Sequence, residues 1–472
     1  MRSTTLWTTI FGLGVSVGAL DPIEAYGNKL FNKNGTQFFI KVGVAYQLVP
    51  DDPLIDTEQC KRDFALMREL GVNTIRVYHV DAKAKHDGCM KALDDAGIYL
   101  LVDMDTFGTY IGVNYWNSTQ YERYSQVIDA FHSYDNVLGF FVGNENIARK
   151  DDSPAAPFLK AAARDMKIYR DRKGYRSIPI GYSAADIVQL RPMLQDYLTC
   201  GGNASEIIDF FALNSYSWCD PSTFESSSYN KLQEYAKDFP VPIFFSETGC
   251  NVPGPRKWDD QDAIFTKPMV NDWSGAIIYE WIEEQNHYGL VSYGTKVDPS
   301  QQVENVFDGF TRKGTPTPLS PDFNNLKTKW ANVNPTGVVR KDYDAKQVST
   351  RACPTSTAAG WWQVDGNVKL PTLGETMTGT FTSQASASAD PSSDTTRPTD
   401  SNNSGQDGGK SIGNGTSSGT GNGSGNDTGS GNDGNADGSG KKDEDNAASP
   451  DTHMAAAGAS IAAVVLVFAL AL

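Results

Sequence analysis

Residues 57–103 decide the fold, and they read TEQCKRDFALMRELGVNTIRVYHVDAKAKHDGCMKALDDAGIYLLVD. Two helical patterns alternate there with two short apolar runs that have the character of strands. Thr57 is a suitable N-cap for the first helix, and Gly71 and Gly97 follow the two helices where C-cap glycines are expected. The predicted elements are, in order, a helix over 57–70, a strand over 72–78, a helix over 82–96 and a strand over 99–103.

The same alternation extends on both sides of this stretch. Further helices are predicted over 119–134 and 155–172, and the eight predicted strands span 38–44, 72–78, 99–103, 137–145, 178–182, 210–214, 243–247 and 276–281. Near-continuous apolar strands separated by helices indicate a parallel sheet that is buried on both faces. Eight such units predict an α/β protein with a (β/α)8 TIM barrel. An open, doubly wound sheet is the alternative, but the GxGxxG turn typical of its first strand is missing.

The charge balance excludes some classes of function. The chain of 472 residues carries 41 Lys and Arg against 57 Asp and Glu, a formal net charge of −16. A nucleic-acid-binding protein needs a basic face that neutralises phosphates, so this balance argues against that class. The five histidines show no HExxH spacing, which argues against a zinc hydrolase. We therefore predict no metal site, no cofactor and no nucleic-acid partner.

Both ends of the chain carry processing signals. Met1 and Arg2 precede an apolar run over residues 6–20 that ends in small residues, which predicts a secretory signal peptide over 1–19. At the other end, the uncharged residues 455–472 follow small residues and a short polar spacer, which predicts a GPI-anchor signal. A single-pass membrane anchor is the alternative, but the basic flank that normally follows such an anchor is missing.

These signals predict a secreted chain on the outer face of the plasma membrane, with the cell wall as a second location. The preferred GPI attachment residue is Asn446, and Ala447 is the alternative. The predicted domains are a signal peptide over 1–19, a catalytic domain with a short post-barrel segment over 20–353, a disordered stalk rich in Ser, Thr, Gly and Asn over 354–446, and a GPI propeptide over 447–472.

Secretion makes the six cysteines candidates for disulfides, because the compartment is oxidising. Their spacing leaves every pairing of Cys60, Cys89, Cys200, Cys219, Cys250 and Cys353 open. Sequons for N-glycosylation, which favour surface loops, occur at Asn34, Asn117, Asn203, Asn402, Asn414, Asn422 and Asn426.

Polar residues end most of the predicted strands, and the C-terminal ends of barrel strands face the active site. Glu145 ends the fourth strand and Glu247 the seventh, so two carboxylates are expected to meet at the mouth of the barrel. Glycoside hydrolysis needs such a pair. A structural alternative exists for single residues, since Asp103 or Glu145 can cap the next helix and Arg76 can pair with a buried carboxylate.

Aromatic residues near the strand ends suit a carbohydrate site, because they can stack on sugar rings. The candidates are Tyr46, Tyr78, Tyr216, Trp218, Tyr279 and Trp281. Some of them are expected to be core residues instead. Side chains alternate along a strand, so Glu280 is expected to point away from the barrel interior if Tyr279 points into it.

At these strand ends the sequence resembles the fungal, GPI-anchored β-1,3-glucanosyltransferases of glycoside hydrolase family 72. The resemblance extends over roughly residues 20–353 in consistent order. The matching stretches are YQ at 46–47, NTIRVY at 73–78, VGNE at 142–145, NSYSWC at 214–219, FFSETGCN at 244–251 and IIYEW at 277–281.

The resemblance implies a retaining double displacement on β-1,3-glucan. Glu145 would be the general acid/base and Glu247 the nucleophile, with carboxyl groups roughly 5–5.5 Å apart. Asn144 would bond the 2-hydroxyl of the reacting glucose, and Tyr216 would hold the nucleophile. The resemblance also implies that Gln47, Tyr78, Asp103 and Tyr279 line the donor groove. The implied disulfides are Cys60–Cys89, Cys200–Cys353 and Cys219–Cys250.

The implied activity cuts internal β-1,3-glucan linkages and transfers the new reducing end to the non-reducing end of another chain. Donor and acceptor glucan chains and the plasma membrane would be the partners, with no protein partner. Cys353 is the last cysteine, so the C-terminal cysteine-rich carbohydrate-binding module of some family members is not expected. The alternatives are an endo-β-1,3-glucanase that mainly hydrolyses, and a non-catalytic glucan-binding wall protein.

Overall fold

Eight parallel strands close into a barrel in the computed structural model of this chain, which describes residues 19–301, 303–348, 350–358 and 360–378. Neighbouring barrel strands follow one another in sequence order, and the last pairs with the first, so the sheet has no open edge. This confirms the (β/α)8 barrel over the open, doubly wound sheet. The predicted signal peptide up to residue 18, the sequons from Asn402 onwards, the predicted attachment residue Asn446 and the predicted GPI propeptide lie outside the described residues.

A small antiparallel sheet precedes the barrel, with strands β1 Glu24–Tyr26, β2 Lys29–Phe31 and β3 Gln37–Phe38. The barrel strands are β4 Ile40–Ala45, β5 Thr74–Val77, β6 Tyr99–Asp103, β7 Val137–Asn144, β8 Ile180–Ala185, β9 Phe210–Asn214, β10 Ile243–Thr248 and β11 Trp273–Ile278. The described helices are α1 Thr57–Leu70, α2 Asp87–Ala96, α3 Ser118–Phe131, α4 Ala156–Arg172, α5 Arg191–Thr199, α6 Tyr229–Ala236, α7 Asp259–Ile264 and α8 Asp322–Asn332. Two short pairs follow the barrel, β12 Val291–Ser292 with β15 Thr317–Pro318 and β13 Val306–Phe307 with β14 Phe310–Thr311.

Every end of a predicted strand lies within three residues of the observed one. The largest difference is in β11, which starts and ends three residues earlier than predicted. Its start was missed because Ser274 and Gly275 interrupt the apolar run. Gly275 has φ +127°, and a Cβ there would lie 2.1 Å from the carbonyl oxygen of Ile40 on the neighbouring strand. A glycine is therefore required where β11 closes the barrel.

The helix ends follow local hydrogen bonding. Gly71 and Gly97 adopt the left-handed conformation of C-cap residues, as predicted. The N-cap of α1 is Asp56 rather than Thr57, because its Oδ1 accepts from two backbone amides of the first turn. Helix α2 begins at Asp87, five residues later than predicted, since the preceding loop is held by Asp52, whose Oδ2 accepts from the Asp81 amide.

The interior of the barrel is apolar at its N-terminal end. The inward side chains Leu101, Phe141, Phe210 and Phe244 form one buried cluster with Leu30 of the small sheet. The ring centroids of Phe141 and Phe210 lie 5.1 Å apart. The small sheet covers this end, and the polar strand ends lie at the opposite, C-terminal mouth.

All six cysteines form disulfides, and the pairs are the three that the resemblance implies. Cys60–Cys89 joins α1 to α2. Cys219–Cys250 joins the loops that follow β9 and β10. Cys200–Cys353 attaches the post-barrel chain at the end of α5.

Three of the predicted sequons lie within the described residues. The side chains of Asn34 and Asn203 are exposed. Asn117 is half-buried and caps α3, where its Oδ1 accepts from the amides of Thr119 and Gln120. The side-chain nitrogen of Asn117, which would carry a glycan, takes no part in these capping bonds. Glycosylation at all three sites stays a prediction.

The folded unit extends beyond the predicted boundary at residue 353. Trp362 and Val364 are fully buried, and the Trp362 ring lies 5.5 Å from that of Tyr197 on α5. The start of the stalk at 354 was therefore predicted too early, because a few large apolar side chains within a Ser- and Thr-rich segment suffice to hold it on the barrel. Among the described residues, no helix is long and apolar enough to cross a membrane.

We expect Trp362→Ala to lower the free energy of unfolding by roughly 3–5 kcal/mol, because it removes a buried indole and leaves a cavity. Urea unfolding followed by circular dichroism measures the change. Lys369→Ala is the matched control, since this side chain is exposed in the same segment and its loss should change stability by less than about 0.5 kcal/mol. Equal stabilities of the two variants would contradict the extended boundary.

Candidate active site

Two glutamates stand at the C-terminal mouth of the barrel. Glu145 directly follows β7, and Glu247 lies near the end of β10. The backbone of Glu145 is in the left-handed region with φ +52°, and its amide donates to the carbonyl of Ser183 on β8. Parallel strands end at one rim, so these carboxylates share the mouth as the sequence predicts.

Glu247 is held by three hydrogen-bond donors. Tyr216 donates its hydroxyl to Oε2 at 2.7 Å, and Tyr78 donates to Oε1 at 2.9 Å. The Nη1 of Arg76 lies 3.4 Å from the same Oε1. These donors fix the orientation of the carboxylate and favour its charged form.

Arg76 connects most of the polar groups in the mouth. It is fully buried, and all of its N–H groups donate. Nε and Nη2 bind both carboxylate oxygens of Asp103, at 3.0 and 2.7 Å. The remaining bonds go to Asn144, Ser183 and Glu247. The structural alternative for Arg76, pairing with a buried carboxylate, is confirmed by Asp103, whereas its bonds to Asn144 and Glu247 were not predicted.

Glu145 has a different environment. Its Oε1 accepts one hydrogen bond from a protein side chain among the described residues, from Asn214 Nδ2 at 2.9 Å. The Oδ1 of Asn214 accepts from the hydroxyls of Ser183 and Ser246, so the amide is oriented with its nitrogen toward Glu145. Asn214 was named as a strand end but was not predicted as a site residue.

Asn144 lies between these two networks. Its Oδ1 accepts from Arg76 Nη2 at 2.9 Å and from Asn214 Nδ2 at 3.1 Å. Within the described part of the chain no group accepts from its Nδ2. This donor is therefore available to a ligand at the mouth.

The pKa of Glu145 is raised to about 7. Burial is the main cause, and the negative charge of Glu247 is the second. The hydrogen bond from Asn214 and the charge of Arg76 oppose the rise. Burial also raises the pKa of Glu247, but the guanidinium of Arg76 and the hydroxyls of Tyr216 and Tyr78 oppose it. Glu247 therefore ionises first, because its three donors stabilise the charged form, and Glu145 retains a proton near neutral pH.

The six aromatic candidates divide equally. Tyr78, Tyr216 and Tyr279 are half-buried at the mouth, and Tyr288 joins them with its ring 5.4 Å from that of Tyr216. Tyr288 was missed because it lies in a loop after β11, where no strand pattern marks it. The stacking interpretation was wrong for the three buried rings, which bond inside the protein: Tyr46 to Asp63, Trp218 to Asp220 and Trp281 to Tyr293.

Two predicted groove residues have their polar atoms occupied by protein groups. Gln47 accepts from the backbone amides of Tyr78 and His79, and its Nε2 donates to the carbonyl of Val49 at 2.8 Å. Asp103 is buried and binds Arg76. Gln47 therefore orients the backbone at Tyr78 and His79, and Asp103 orients the guanidinium of Arg76.

Glu280 takes no part in the pair. It follows the end of β11, so strand alternation does not govern its direction, and its Oε1 accepts from Asn286 at 2.9 Å. Burial, followed by the nearby charge of Glu284, raises its pKa. In the part of the chain that the structure describes, no group of three or more His, Cys, Asp or Glu side chains could hold a metal ion.

A TIM barrel with two buried carboxylates and tyrosines at its mouth has the site architecture of the glycoside-cleaving enzymes that use a pair of carboxylates. The glucanosyltransferase model of glycoside hydrolase family 72 matches residues 14–334. The chain therefore belongs to this glucanosyltransferase family.

Relatives with similar sequences come from several fungi. Protein EPD1 of Candida maltosa is 41% identical over 349 residues, which cover 72% of this chain and 60% of the relative. A 1,3-beta-glucanosyltransferase of Arthroderma benhamiae is 39% identical over 360 residues, which cover 73% of this chain and 61% of the relative. The chain thus spans less than two thirds of the length of these two relatives.

Solved structures of a yeast protein share the fold. A mutant of Saccharomyces cerevisiae Gas2p in complex with laminaritetraose and laminaripentaose has a TM-score of 0.65 and 36% identity, and the match covers 74% of each chain. A complex of the same yeast protein with a small compound has a TM-score of 0.66 at 38% identity, over 74% of this chain and 75% of the other.

We expect Glu247→Gln to lower the pKa of Glu145, because the substitution removes the negative charge that disfavours ionisation of Glu145. Titration of carbon-13-labelled glutamate carboxyls by NMR measures this pKa. Glu284→Gln is the control, because the charge of Glu284 raises the pKa of Glu280 instead. An unchanged pKa of Glu145 in Glu247→Gln would show that the two carboxyls are not coupled.

Proposed function

We propose that this chain is a retaining 1,3-β-glucanosyltransferase. It cleaves internal β-1,3-glucan linkages and transfers the new reducing end to the non-reducing end of another glucan chain. The observation that carries the proposal is the unequal pair at the mouth, Glu145 with a raised pKa beside Glu247 with three donors. Membership of the family and the laminari-oligosaccharides bound to Gas2p supply the substrate class.

In the first step Glu247 attacks the anomeric carbon while Glu145 gives its proton to the leaving glycosidic oxygen. The bond from the anomeric carbon to that oxygen breaks, and an ester bond to Glu247 forms. Tyr216 and Tyr78 orient the attacking carboxylate. Asn144 donates its Nδ2 to the 2-hydroxyl of the reacting glucose.

In the second step Glu145 acts as a base. Once Glu247 is esterified its charge is gone, so the electrostatic contribution that raised the pKa of Glu145 disappears. Glu145, now ionised, takes the proton of an acceptor hydroxyl, and the oxygen of that hydroxyl attacks the anomeric carbon. Glu247 leaves as a carboxylate, and the pair returns to its starting state.

The proposal includes the cellular location. We propose that the chain is secreted and held on the outer face of the plasma membrane by a GPI lipid at Asn446. Small residues, a polar spacer and an apolar end support the anchor signal. The three disulfides support passage through an oxidising compartment.

The distribution of products tests the activity. A reduced laminari-oligosaccharide is incubated with the protein, and products longer than the substrate are expected, because transfer joins two chains. Shorter products alone would identify an endo-glucanase, and no products would favour a glucan-binding protein. We expect Glu145→Gln to slow transfer by at least about 100-fold and Glu247→Gln to abolish it, while Glu284→Gln leaves it unchanged.

The pH dependence of kcat/KM should report the same pair. Glu145 must be protonated in the first step, and its pKa is about 7, so kcat/KM should fall as pH rises through about 7. Asn214 lowers the pKa of Glu145, so Asn214→Ala should move this basic limb to higher pH. A basic limb that stays in place would show that another group supplies the proton.

A further inference from the structure

The post-barrel chain contacts both loops that surround Glu145. We define the strap as residues 360–378, the β6 loop as residues 104–117 and the β7 loop as residues 145–155. The strap lies beyond the part of the chain that the family model matches, which ends at residue 334. Among the described residues it is the C-terminal part of the fold.

The strap binds the β7 loop through Gln363. The backbone amide of Gln363 donates to the Ser153 hydroxyl at 3.0 Å, and its Nε2 donates to the carbonyl of Lys150 at 3.2 Å. The neighbouring Trp362 is fully buried against Tyr197, which anchors this end of the strap on the barrel.

The strap binds the β6 loop through Asn114. The Oδ1 of Asn114 accepts from the Met377 amide at 2.7 Å, and its Nδ2 donates to the Met377 carbonyl at 3.3 Å. The amide of Gly374 donates to the Trp116 carbonyl at 2.9 Å. The side-chain amide of Asn114 therefore binds both backbone polar groups of Met377 on the strap.

Helix α4 fixes the strap and the β6 loop on one support. Arg164 donates to the carbonyl of Pro371 at 2.8 Å and to the carboxylate of Asp165. Asp165 in turn accepts from the indole nitrogen of Trp116 at 2.9 Å. The strap and the loop are thus joined both directly and through an ion pair.

The β6 loop holds the residue after Glu145 from both sides. Tyr110 donates its hydroxyl to the Asn146 carbonyl at 3.0 Å, and Asn146 Nδ2 donates to the Ile111 carbonyl at 2.9 Å. Glu145 itself has φ +52°, a conformation that a residue with a side chain keeps only when its surroundings hold it.

We propose that the strap positions the general acid/base: Gln363 and Asn114 fix the two loops that hold Glu145 in its left-handed turn. This inference rests on the proposed role of Glu145. Gln363 and Asn114 are positioning residues, because they act on Glu145 through the loops and contact neither carboxylate of the pair. The post-barrel chain is then part of the active-site scaffold.

The test uses the full chain with Asn114→Ala, Gln363→Ala and both together, and Asn367→Ala as an exposed control on the strap. With laminari-oligosaccharides, we expect kcat of the double variant to fall about 10- to 100-fold, because a misplaced catalytic group loses that much rate. The leaving group of a dinitrophenyl β-laminari-oligosaccharide needs no proton. The rate of the initial burst of dinitrophenolate should therefore change by less than about twofold in the double variant.

Two results would overturn the proposal. If both substrates lose the same rate in the double variant, the strap supports the fold in general and has no special relation to Glu145. If neither substrate loses rate, the strap does not reach the site. Asn367→Ala should match the unaltered chain with both substrates, and melting temperatures identify a variant that is merely unfolded.

Hydrogen exchange tests the strap even if the chain transfers no glucan. The double variant should exchange faster than the unaltered chain in peptides that cover residues 104–117 and 143–155. Residues 243–248, which carry Glu247, should keep their rate and serve as the internal control. Unchanged exchange in both loops would overturn the strap proposal, whereas missing transfer by the unaltered chain would overturn only the proposed function.

Discussion

The mouth of the barrel depends on the buried guanidinium of Arg76. A charge without contact to water is stable only when its donors are satisfied, and here Asp103 takes two of them while Tyr78 and Phe141 cover the faces of the guanidinium at 4.4 Å. The other donors reach β7, β8 and β10, so one side chain from β5 fixes the spacing of four strand ends. Asn144 and Glu247 are both oriented by this group, together with Asn214 for the first and with Tyr78 and Tyr216 for the second.

Chemical inequality between the two glutamates follows from the same arrangement. Both are taken out of water, which disfavours charge on each, but Glu247 receives the guanidinium and two phenols whereas Glu145 receives one amide. The proton therefore remains on Glu145. A protein that placed equal donors around both carboxylates would have no fixed acid and no fixed nucleophile.

Local patterns in the sequence were sufficient to find the barrel and the pair. Strand runs, C-cap glycines and polar strand ends are encoded within a few residues, so β6, β9 and Glu145 could be located from them. Contacts between distant segments could not be predicted this way. Tyr46 and Trp281 are buried in a hydrogen-bonded network that includes Tyr293 and Asp63, which are 230 positions apart. The stalk was predicted to begin at residue 354 because the segment as a whole is rich in Ser, Thr, Gly and Asn. This average concealed Trp362 and Val364, whose burial keeps residues 360–378 on the barrel.

The disulfide Cys219–Cys250 has a consequence for where the chain can work. It joins the loop after β9, which carries Tyr216, to the loop after β10, the strand that carries Glu247. Glu247 and the tyrosine that donates to it are thereby linked through a covalent bond that reducing conditions would not allow to persist. The complete mouth therefore depends on an oxidising environment: where thiols are kept reduced, the same chain would lack one of the constraints that hold Tyr216 next to Glu247.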